Sequence, residues 1–305
     1  MRIGLHALGI GTGARPEVIR AVATAAEAAG FATLWAGEHV VLVDQPTSRY
    51  PYSSDGRIAV PADADWLDPL LALSFAAAVT TTIGLATGVL LLPEHNPVVA
   101  AKQAATLDVL SAGRLTLGLG IGWSAEEFAA LGVPFSRRAQ RTAEYVAAMR
   151  TLWANDVASF SGEFTRFDSV RVNPKPVRDG GIPIVLGGNS DPSLARVATF
   201  GDGWFGFNLP VNAVAERVEA LAEQCKLRNR NPRDLAVAVA LSDGTPAALP
   251  VLAEIGVTEL VLVAAPPPDP LAATAWVHDL AAQWNVTPVL ERPGPRRPRP
   301  RARVR

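Results

Sequence analysis

The sequence of residues 83–110 is IGLATGVLLLPEHNPVVAAKQAATLDVL, and it contains one complete strand–helix unit. Its first part, 83–89, is a short apolar run of the kind that forms a strand buried on both faces. Asn96 and Pro97 follow as a capping residue and a first-turn proline, which predicts that a helix begins there. The alanine-rich stretch 97–110 is long enough for a helix of about four turns.

The same unit recurs along the chain. Apolar runs that predict buried strands alternate with stretches that predict helices. The predicted strands are 2–8, 33–36, 83–89, 115–121, 183–186, 203–207, 235–240 and 259–263. The predicted helices are 16–29, 67–79, 97–110, 136–153, 191–199, 211–228, 245–255 and 270–284. Because alternating strands and helices build a parallel sheet covered by helices, and eight such units can close on themselves, we predict an α/β fold, the (β/α)8 TIM barrel.

Two segments are longer than a minimal barrel needs. Residues 40–66 form an insertion after strand 2, and residues 156–182 form another before strand 5, in which 160–164 resembles a small hairpin. Long insertions of this kind usually shape the site at the mouth of a barrel. No linker divides 1–285, so we predict one domain there. Residues 286–305 are rich in proline and arginine and predict a disordered tail.

Composition excludes several classes of protein. The chain has 305 residues, of which 49% are hydrophobic, and its single cysteine is Cys225. The apolar content is too high for a disordered chain, and one cysteine cannot build a disulfide framework. No apolar run is long enough for a membrane span, and no signal peptide is evident, so we expect a cytoplasmic protein without a membrane partner. The arginine-rich tail has no interleaved aromatic residues, so we expect no nucleic-acid partner.

Three glycine clusters follow predicted strands. The first, 9–14, loosely matches a dinucleotide fingerprint with Glu38 as the ribose-binding acid, but residues 15–16 separate it from the helix, and a flexible loop is the alternative. The second, 118–123, indicates close approach of a ligand or a neighbouring strand. The third, 187–190, joins a strand to a helix start, which favours a phosphate site, with a plain capped turn as the alternative.

Histidine is the other residue type of interest. The chain contains His6, His39, His95 and His278, and none has the spacing of a metal ligand, so we expect no metal site. Glu38 and His39 close the second predicted strand, and catalytic residues of barrels lie at such strand ends. A structural role for a single strand-end histidine is the alternative reading.

Several motifs occur together in a characteristic order. They are Leu34 to His39, Leu85 to Pro93, Asn96-Pro97, Ala101 to Gln103, Leu110 to Leu115, Gly118 to Trp123, Glu126 to Phe128 and Gly187 to Ser190. In this combination the chain resembles the bacterial luciferase-like (flavin/deazaflavin) oxidoreductases. Within them it is most similar to the coenzyme F420-dependent oxidoreductases of actinobacterial type. The resemblance covers roughly residues 1–285.

The resemblance implies a flat isoalloxazine or deazaflavin ring at the carboxyl-end mouth of the barrel. His39 and Glu38 would be catalytic, with His39 acting on the reacting centre and Glu38 either fixing its imidazole or bonding the ring. A bulge at 87–89, with a cis bond between Gly88 and Val89, would support the ring. The cofactor-binding residues that the resemblance implies are Thr87, Gly88, Val89, Gly120, Gly122, Trp123, Gly187, Gly188, Asn189 and Ser190.

One departure bears on the substrate. The F420-dependent sugar-phosphate dehydrogenases of this superfamily carry an acid directly after the strand-four glycines, where this chain has Trp123. We therefore expect an apolar or aromatic substrate, walled by Tyr50, Tyr52, Trp66 and Trp123.

The resulting expectation is an oxidoreductase that transfers hydride between coenzyme F420 and an organic substrate, in a homodimer as is common among relatives. Three alternatives stay open. They are an FMN-dependent monooxygenase supplied by a separate reductase, a non-catalytic carrier of F420 or flavin, and a dinucleotide-dependent dehydrogenase that uses residues 9–14.

Overall fold

The computed structural model describes residues 1–287, and eight parallel strands close into a barrel within them. The barrel strands are β1 (Arg2–Leu8), β2 (Thr33–Ala36), β3 (Gly84–Thr87), β4 (Leu115–Gly120), β5 (Ile184–Gly187), β6 (Gly203–Leu209), β7 (Ala236–Leu241) and β8 (Glu259–Val263). Each strand pairs with the next along the chain, and β8 pairs with β1 to complete the ring. The predicted TIM barrel is confirmed.

Helices cover the outside of the barrel. They are α1 (Pro16–Ala29), α2 (Pro69–Ala77), α3 (Pro97–Leu110), α4 (Ala125–Ala130), α5 (Arg138–Ala154), α6 (Asp191–Phe200), α7 (Val211–Lys226), α8 (Leu249–Glu254) and α9 (Pro270–Gln283). Asn96 caps α3 as expected, because its side chain accepts hydrogen bonds from the amides of Val98 and Val99. No helix in the described part of the chain is long and apolar enough to cross a membrane.

The elements differ from the sequence prediction in three places. The predicted strand 83–89 is interrupted after Thr87 by a cis bond between Gly88 and Val89, as the resemblance implied, and a two-residue strand, Leu90–Leu91, follows. The helix predicted over 245–255 is shorter, because a 3-10 turn precedes α8. The short helix α4 was not predicted; six residues are too few for a clear helical period.

The second insertion contains the expected hairpin. Strand Ala158–Ser161 pairs antiparallel with strand Arg166–Val170, outside the barrel sheet. The predicted tail, apart from its first two residues, lies outside the described residues.

The centre of the barrel is filled at its amino end. Trp35 of β2 stacks on Phe205 of β6, with ring centroids 4.8 Å apart. The indole of Trp35 donates a hydrogen bond of 2.9 Å to the buried carboxyl of Glu259, which also pairs with Arg2 at 3.0 Å. Burial raises the pKa of Glu259. Since this end is closed by side chains, a site for a ligand has to form at the opposite, carboxyl end of the strands.

Strands β3 and β4 approach each other more closely than a side chain on β4 would allow. A Cβ atom added to Gly118 would lie 1.9 Å from the carbonyl oxygen of Thr87. The hydroxyl of Thr87 donates a hydrogen bond of 2.6 Å to the carbonyl of Gly118 across the same contact. Glycine at 118 is therefore required by backbone packing.

We expect Gly118→Ala to lower the free energy of unfolding by about 3 kcal/mol or more, because the methyl group meets backbone that cannot rotate away. Gly132→Ala is the matched control. Gly132 has a positive φ of 68° but nothing within 4 Å of an added Cβ. Gly132→Ala should therefore lower the free energy of unfolding by about 1 kcal/mol. Urea unfolding of the two variants measures both, and equal losses would contradict the packing argument.

Candidate active site

His39 lies at the mouth of the barrel, just after β2, with its side chain only 7% exposed. Its Nδ1 is 2.7 Å from the carboxylate of Glu127 in α4, and the indole Nε1 of Trp123 lies 3.4 Å from its Nε2. An indole N–H can only donate, so Nε2 is the unprotonated nitrogen and Nδ1 carries the proton that Glu127 accepts. In the tautomer that these contacts favour, the lone pair of the imidazole lies on Nε2.

Glu38 has a different partner from the one expected. Its carboxylate accepts hydrogen bonds from Nε2 of His95 at 3.0 Å and from the amide of Leu91 at 2.6 Å. Neighbouring residues in an extended chain point to opposite sides, so Glu38 turns away as His39 turns toward α4. The expectation that Glu38 fixes the imidazole of His39 is wrong; that it bonds the ring stays a prediction. Burial alone would lower the pKa of His95, but Glu38 raises it above its ordinary value.

Two adjacent glutamates of α4 hold the first insertion. Glu127 accepts the amides of Val40 and Val41 at 2.7 and 3.2 Å, in addition to His39. Glu126 accepts the amide and hydroxyl of Thr47 and the amide of Ser48. These bonds, that of Thr47 foremost, lower the pKa of Glu126. The segment 40–48 is therefore fastened to α4 at both ends; we call it the roof.

A cavity of about 630 Å³ lies beneath the roof. His39, Trp123 and Glu127 line it from the barrel side. From the insertion, apolar side chains and charged ones face it together; they include Val41, Leu42, Ile58, Arg49, Arg57 and Asp55. Its volume suits a small organic molecule. The imidazole that the sequence singled out is thus on the wall of a cavity of substrate size.

The predicted substrate residues lie in a row of aromatic contacts. Trp66 meets the ring of His39 edge-on at 4.9 Å, and Tyr50 meets Trp123 at 5.3 Å. Tyr52 contacts Tyr50 on one side and Phe207 of β6 on the other. Of the four aromatic residues predicted to surround the substrate, only Trp123 lines the cavity itself. Trp66 and Tyr50 support the surface around His39, whereas Tyr52 reaches toward β5 and β6.

The turn after β5 carries a concentration of positive charge. Arg196 of α6 donates to the hydroxyl of Ser193, which lies 2.9 Å from the hydroxyl of Ser190. Arg138 of α5 is close enough to Arg196 to affect its pKa. Burial is the larger cause that lowers the pKa of Arg196, and the charge of Arg138 is the second. Neither arginine forms an ion pair with an acid in the described part of the chain. Two unpaired guanidinium groups beside a helix start favour an anion with two charges, such as phosphate.

Two members of the predicted phosphate turn are already engaged. The side chain of Asn189 donates to the carbonyl of Phe207 and accepts its amide, which joins the turn to β6. The amide of Gly188 makes a long bond of 3.4 Å to the carbonyl of Phe205. The amide of Gly188 is therefore used within the protein, because the turn closes on β6, and the hydroxyl of Ser190 pairs with that of Ser193. The roles of Gly188, Asn189 and Ser190 in cofactor binding stay predictions.

The bulge after β3 forms a shelf between β4 and β5. An added Cβ on Gly120 would lie 2.6 Å from a methyl group of Val89, and one on Gly187 would lie 3.1 Å from the other. His6 of β1 supports the shelf from below through a bond of 3.1 Å from its Nε2 to the carbonyl of Gly88. Glycines on both sides of an apolar side chain leave a surface that a flat ring fits.

Comparison with known proteins shows the family of the chain. The family model described as luciferase-like monooxygenase matches residues 3–242. The chain belongs to the luciferase-like monooxygenase family. It is similar to the uncharacterized protein Rv0953c of Mycobacterium tuberculosis, with 36% identity over 264 residues that cover 86% of this chain and 92% of that protein.

Solved structures with the luciferase-like fold match nearly the whole chain. The monooxygenase RslO1 from Streptomyces bottropensis aligns with a TM-score of 0.72 and 21% identity, covering 93% of this chain and 98% of the other. The coenzyme F420-dependent tetrahydromethanopterin reductase from Methanopyrus kandleri aligns with a TM-score of 0.71 and 16% identity, covering 92% and 97%. At these identities the likeness shows the fold.

Sequence reasoning missed several residues of this luciferase-like site. Glu127 was noted only as part of a family motif, although its place in the first turn of a helix after β4 puts it beside the mouth. Arg138 and Arg196 lie on helices whose charged residues ordinarily face solvent, so no local pattern distinguished them. Thr87 was predicted at the ring, but its side chain is fully buried and bonded to β4, so only its backbone can serve the shelf.

We expect Glu126→Ala to loosen the roof, because the amides of Thr47 and Ser48 lose their acceptor. Hydrogen exchange of these two amides should become about 10-fold faster. Glu144→Ala is the matched control, since Glu144 accepts the amides of three residues, 163–165, in the second insertion. Exchange at 47–48 that is unchanged by Glu126→Ala, or equally changed by the control, would contradict the assignment.

Proposed function

We propose that the chain is an oxidoreductase that transfers a hydride between coenzyme F420 and an organic substrate with an apolar or aromatic part. The observation that carries this proposal is His39, which contacts Glu127 and Trp123 on the wall of a cavity at the mouth of the barrel. The resemblance of the motifs to F420-dependent oxidoreductases supports the choice of cofactor.

The residues present fit a flat ring whose side chain carries a phosphate. Val89 with Gly120 and Gly187 would support the ring, and Ser190 with the two arginines beside it would hold the phosphate. When bound, the ring supplies the redox chemistry, because protein side chains cannot accept or donate a hydride. Tyr52 belongs to this side of the site, since it lies close to Gly188 and Arg196, and we assign it to the cofactor rather than to the substrate.

His39 would handle the proton. Oxidation of an alcohol removes a hydride and a proton, and Nε2 can accept the proton when the substrate hydroxyl replaces the long 3.4 Å contact from the indole of Trp123. The imidazolium that forms keeps both N–H groups, and the carboxylate of Glu127 next to Nδ1 stabilises its charge. In the reverse direction the same imidazolium returns the proton to the substrate oxygen.

A second candidate is an FMN-dependent monooxygenase. The fold of RslO1, a monooxygenase, supports it, as does 32% identity over 189 residues to the pyrimidine monooxygenase RutA of Stutzerimonas stutzeri, which covers 59% of this chain and 51% of that protein. Both cofactors carry a flat ring and a phosphate, so the same shelf and turn would serve either. The homodimer expected from the sequence stays a prediction.

Fluorescence titration of the purified protein with F420, FMN and NADPH tests the cofactor. We expect F420 to bind. Binding of FMN alone would favour the monooxygenase, binding of NADPH alone would favour the dinucleotide alternative, and binding of none would overturn the proposal.

We expect Ser190→Asp to weaken binding of F420 and FMN at least about 10-fold, because it places a negative charge against the phosphate. Riboflavin, which has the ring but no phosphate, should bind both proteins alike. Thr199→Asp, at the other end of α6, is the matched control for added charge. If Ser190→Asp bound FMN with full affinity, the assignment of the phosphate to this turn would be wrong.

We expect His39→Asn to lower turnover by about 10²–10⁴-fold while cofactor affinity changes little, because acid–base assistance is lost. Glu127→Gln should lower turnover less than His39→Asn does. Its amide oxygen still accepts the hydrogen bond from Nδ1 but no longer stabilises the charge of the imidazolium. Steady-state kinetics with the accepted substrate measures both. Unchanged turnover in His39→Asn would leave the imidazole a structural role only.

A further inference from the structure

Two arginines of the first insertion, Arg49 and Arg57, line the same cavity as His39. A guanidinium group keeps its charge at every pH at which a protein is ordinarily folded. Neither Arg49 nor Arg57 forms an ion pair with an acid in residues 1–287. The wall of the cavity therefore offers a guest molecule two cations as well as an imidazole.

The turn 49–57 holds one of these cations in place. The amide of Tyr50 donates a hydrogen bond of 2.8 Å to the carbonyl of Gly56, which closes the turn. A Cβ added to Gly56 would lie 2.8 Å from Nε and 2.9 Å from Nη2 of Arg49, so the guanidinium lies against the space that glycine leaves open. Because Arg49 already packs on the turn, it loses less rotamer freedom when it binds a ligand.

The cavity is also lined by three acids, Asp44, Asp55 and Glu127, and none of them forms an ion pair with these arginines. The carboxylate of Asp55 accepts the amide of Arg57 at 2.9 Å. This bond first, and then one with the side chain of Ser53, lowers the pKa of Asp55. Glu127 is engaged by the residues that follow β2. The acids therefore leave the guanidinium groups available to a guest.

Much of the remaining wall is apolar. Val41, Leu42 and Ile58 line the cavity from the insertion, and Trp123 lines it from the barrel. A wholly apolar guest would leave the two guanidinium groups without a counter-charge, and a small inorganic anion would leave the apolar surface uncovered. A molecule with both an apolar part and an anionic group matches both kinds of surface.

We propose that the substrate is an organic acid whose carboxylate is bound by Arg49 and Arg57. The planar N–H donors of a guanidinium match the two oxygens of a carboxylate. The apolar part of the substrate contacts Trp123, and the alcohol or carbonyl that exchanges the hydride lies at His39. The proposal rests on the proposed function and names the class of its substrate.

Binding of a matched pair of probes tests the proposal. The probes are 3-phenylpropionate and its neutral amide, 3-phenylpropanamide, titrated calorimetrically into the purified protein at neutral pH without cofactor. We expect the acid to bind at least about 10-fold more tightly than the amide, because only the acid supplies a counter-charge to the two guanidinium groups.

Substitution of the arginines locates the anion. We expect Arg49→Gln and Arg57→Gln each to weaken binding of the acid by about 5–10-fold and to leave binding of the amide within about 2-fold. Both side chains are exposed, so the variants should fold as the wild type does. Arg233→Gln is the matched control, because Arg233 is also exposed but does not line the cavity, and it should change neither affinity.

The cofactor is the other possible source of a carboxylate, since F420 carries carboxylates in addition to its phosphate and FMN does not. We expect Arg49→Gln and Arg57→Gln to leave the affinity for both cofactors within about 2-fold of the wild type. If these variants bound F420 more weakly by about 5-fold or more while FMN binding was unchanged, the arginines would serve the cofactor, and the proposal would be wrong.

The results separate this proposal from the proposed function. Equal affinity for the two probes, no binding of either, or a preference for the acid that survives both substitutions overturns the organic-acid substrate and leaves the hydride transfer standing. A protein that prefers the acid through Arg49 and Arg57 but binds neither F420 nor FMN keeps the carboxylate site and overturns the proposed function.

Discussion

The carboxylate of Glu127 joins two parts of the mouth that are far apart in the sequence, α4 and the consecutive residues 39–41. It lies 2.7 Å from Nδ1 of His39 and accepts the amides of Val40 and Val41, and its side chain is only 1% exposed. A buried carboxylate is tolerated only when its lone pairs are satisfied, so these contacts support one another. The tautomer of the imidazole and the start of the roof both depend on this group.

Three glutamates from successive loops meet at the mouth, and they differ in how they are neutralised. Glu38 is paired with His95, and Glu127 with His39. Glu94 has no hydrogen-bond donor within 1–287, and burial, followed by the charges of Glu127 and Glu38, raises its pKa to about 9. Like charges at short range favour this difference, because the carboxyl without a partner retains a proton most readily.

The opposite side of the mouth is positively charged. Arg138 and Arg196 lie near the turn after β5, and burial lowers the pKa of each. Their mutual repulsion costs stability in the protein alone, and the anion proposed for this turn would relieve it. Tyr52 reaches this turn from the first insertion, whose other residues line the cavity. The first insertion therefore contacts both the turn after β5 and the cavity.

Much of the fold was predictable from the sequence. The apolar runs, capping residues such as Asn96 and the alternation of strands and helices are local signals, and they determined the barrel and its insertions. The same signals, with the motif order, placed His39, Val89 and Ser190 near one mouth, because residues after parallel strands meet at one end of a barrel.

The sequence could not determine which side chains form hydrogen bonds with each other across the mouth. Glu38 adjoins His39 in the chain, yet His39 pairs with Glu127, 88 positions away, because neighbours in an extended segment face opposite sides. Arg138 and Arg196 looked like ordinary helix-surface residues until packing of the helices brought them to the same turn. The raised pKa of Glu94 is likewise a tertiary property, since it follows from burial and from the charges of Glu127 and Glu38. Local sequence sets the direction of each element, but only the closed barrel decides which side chains face each other across its mouth.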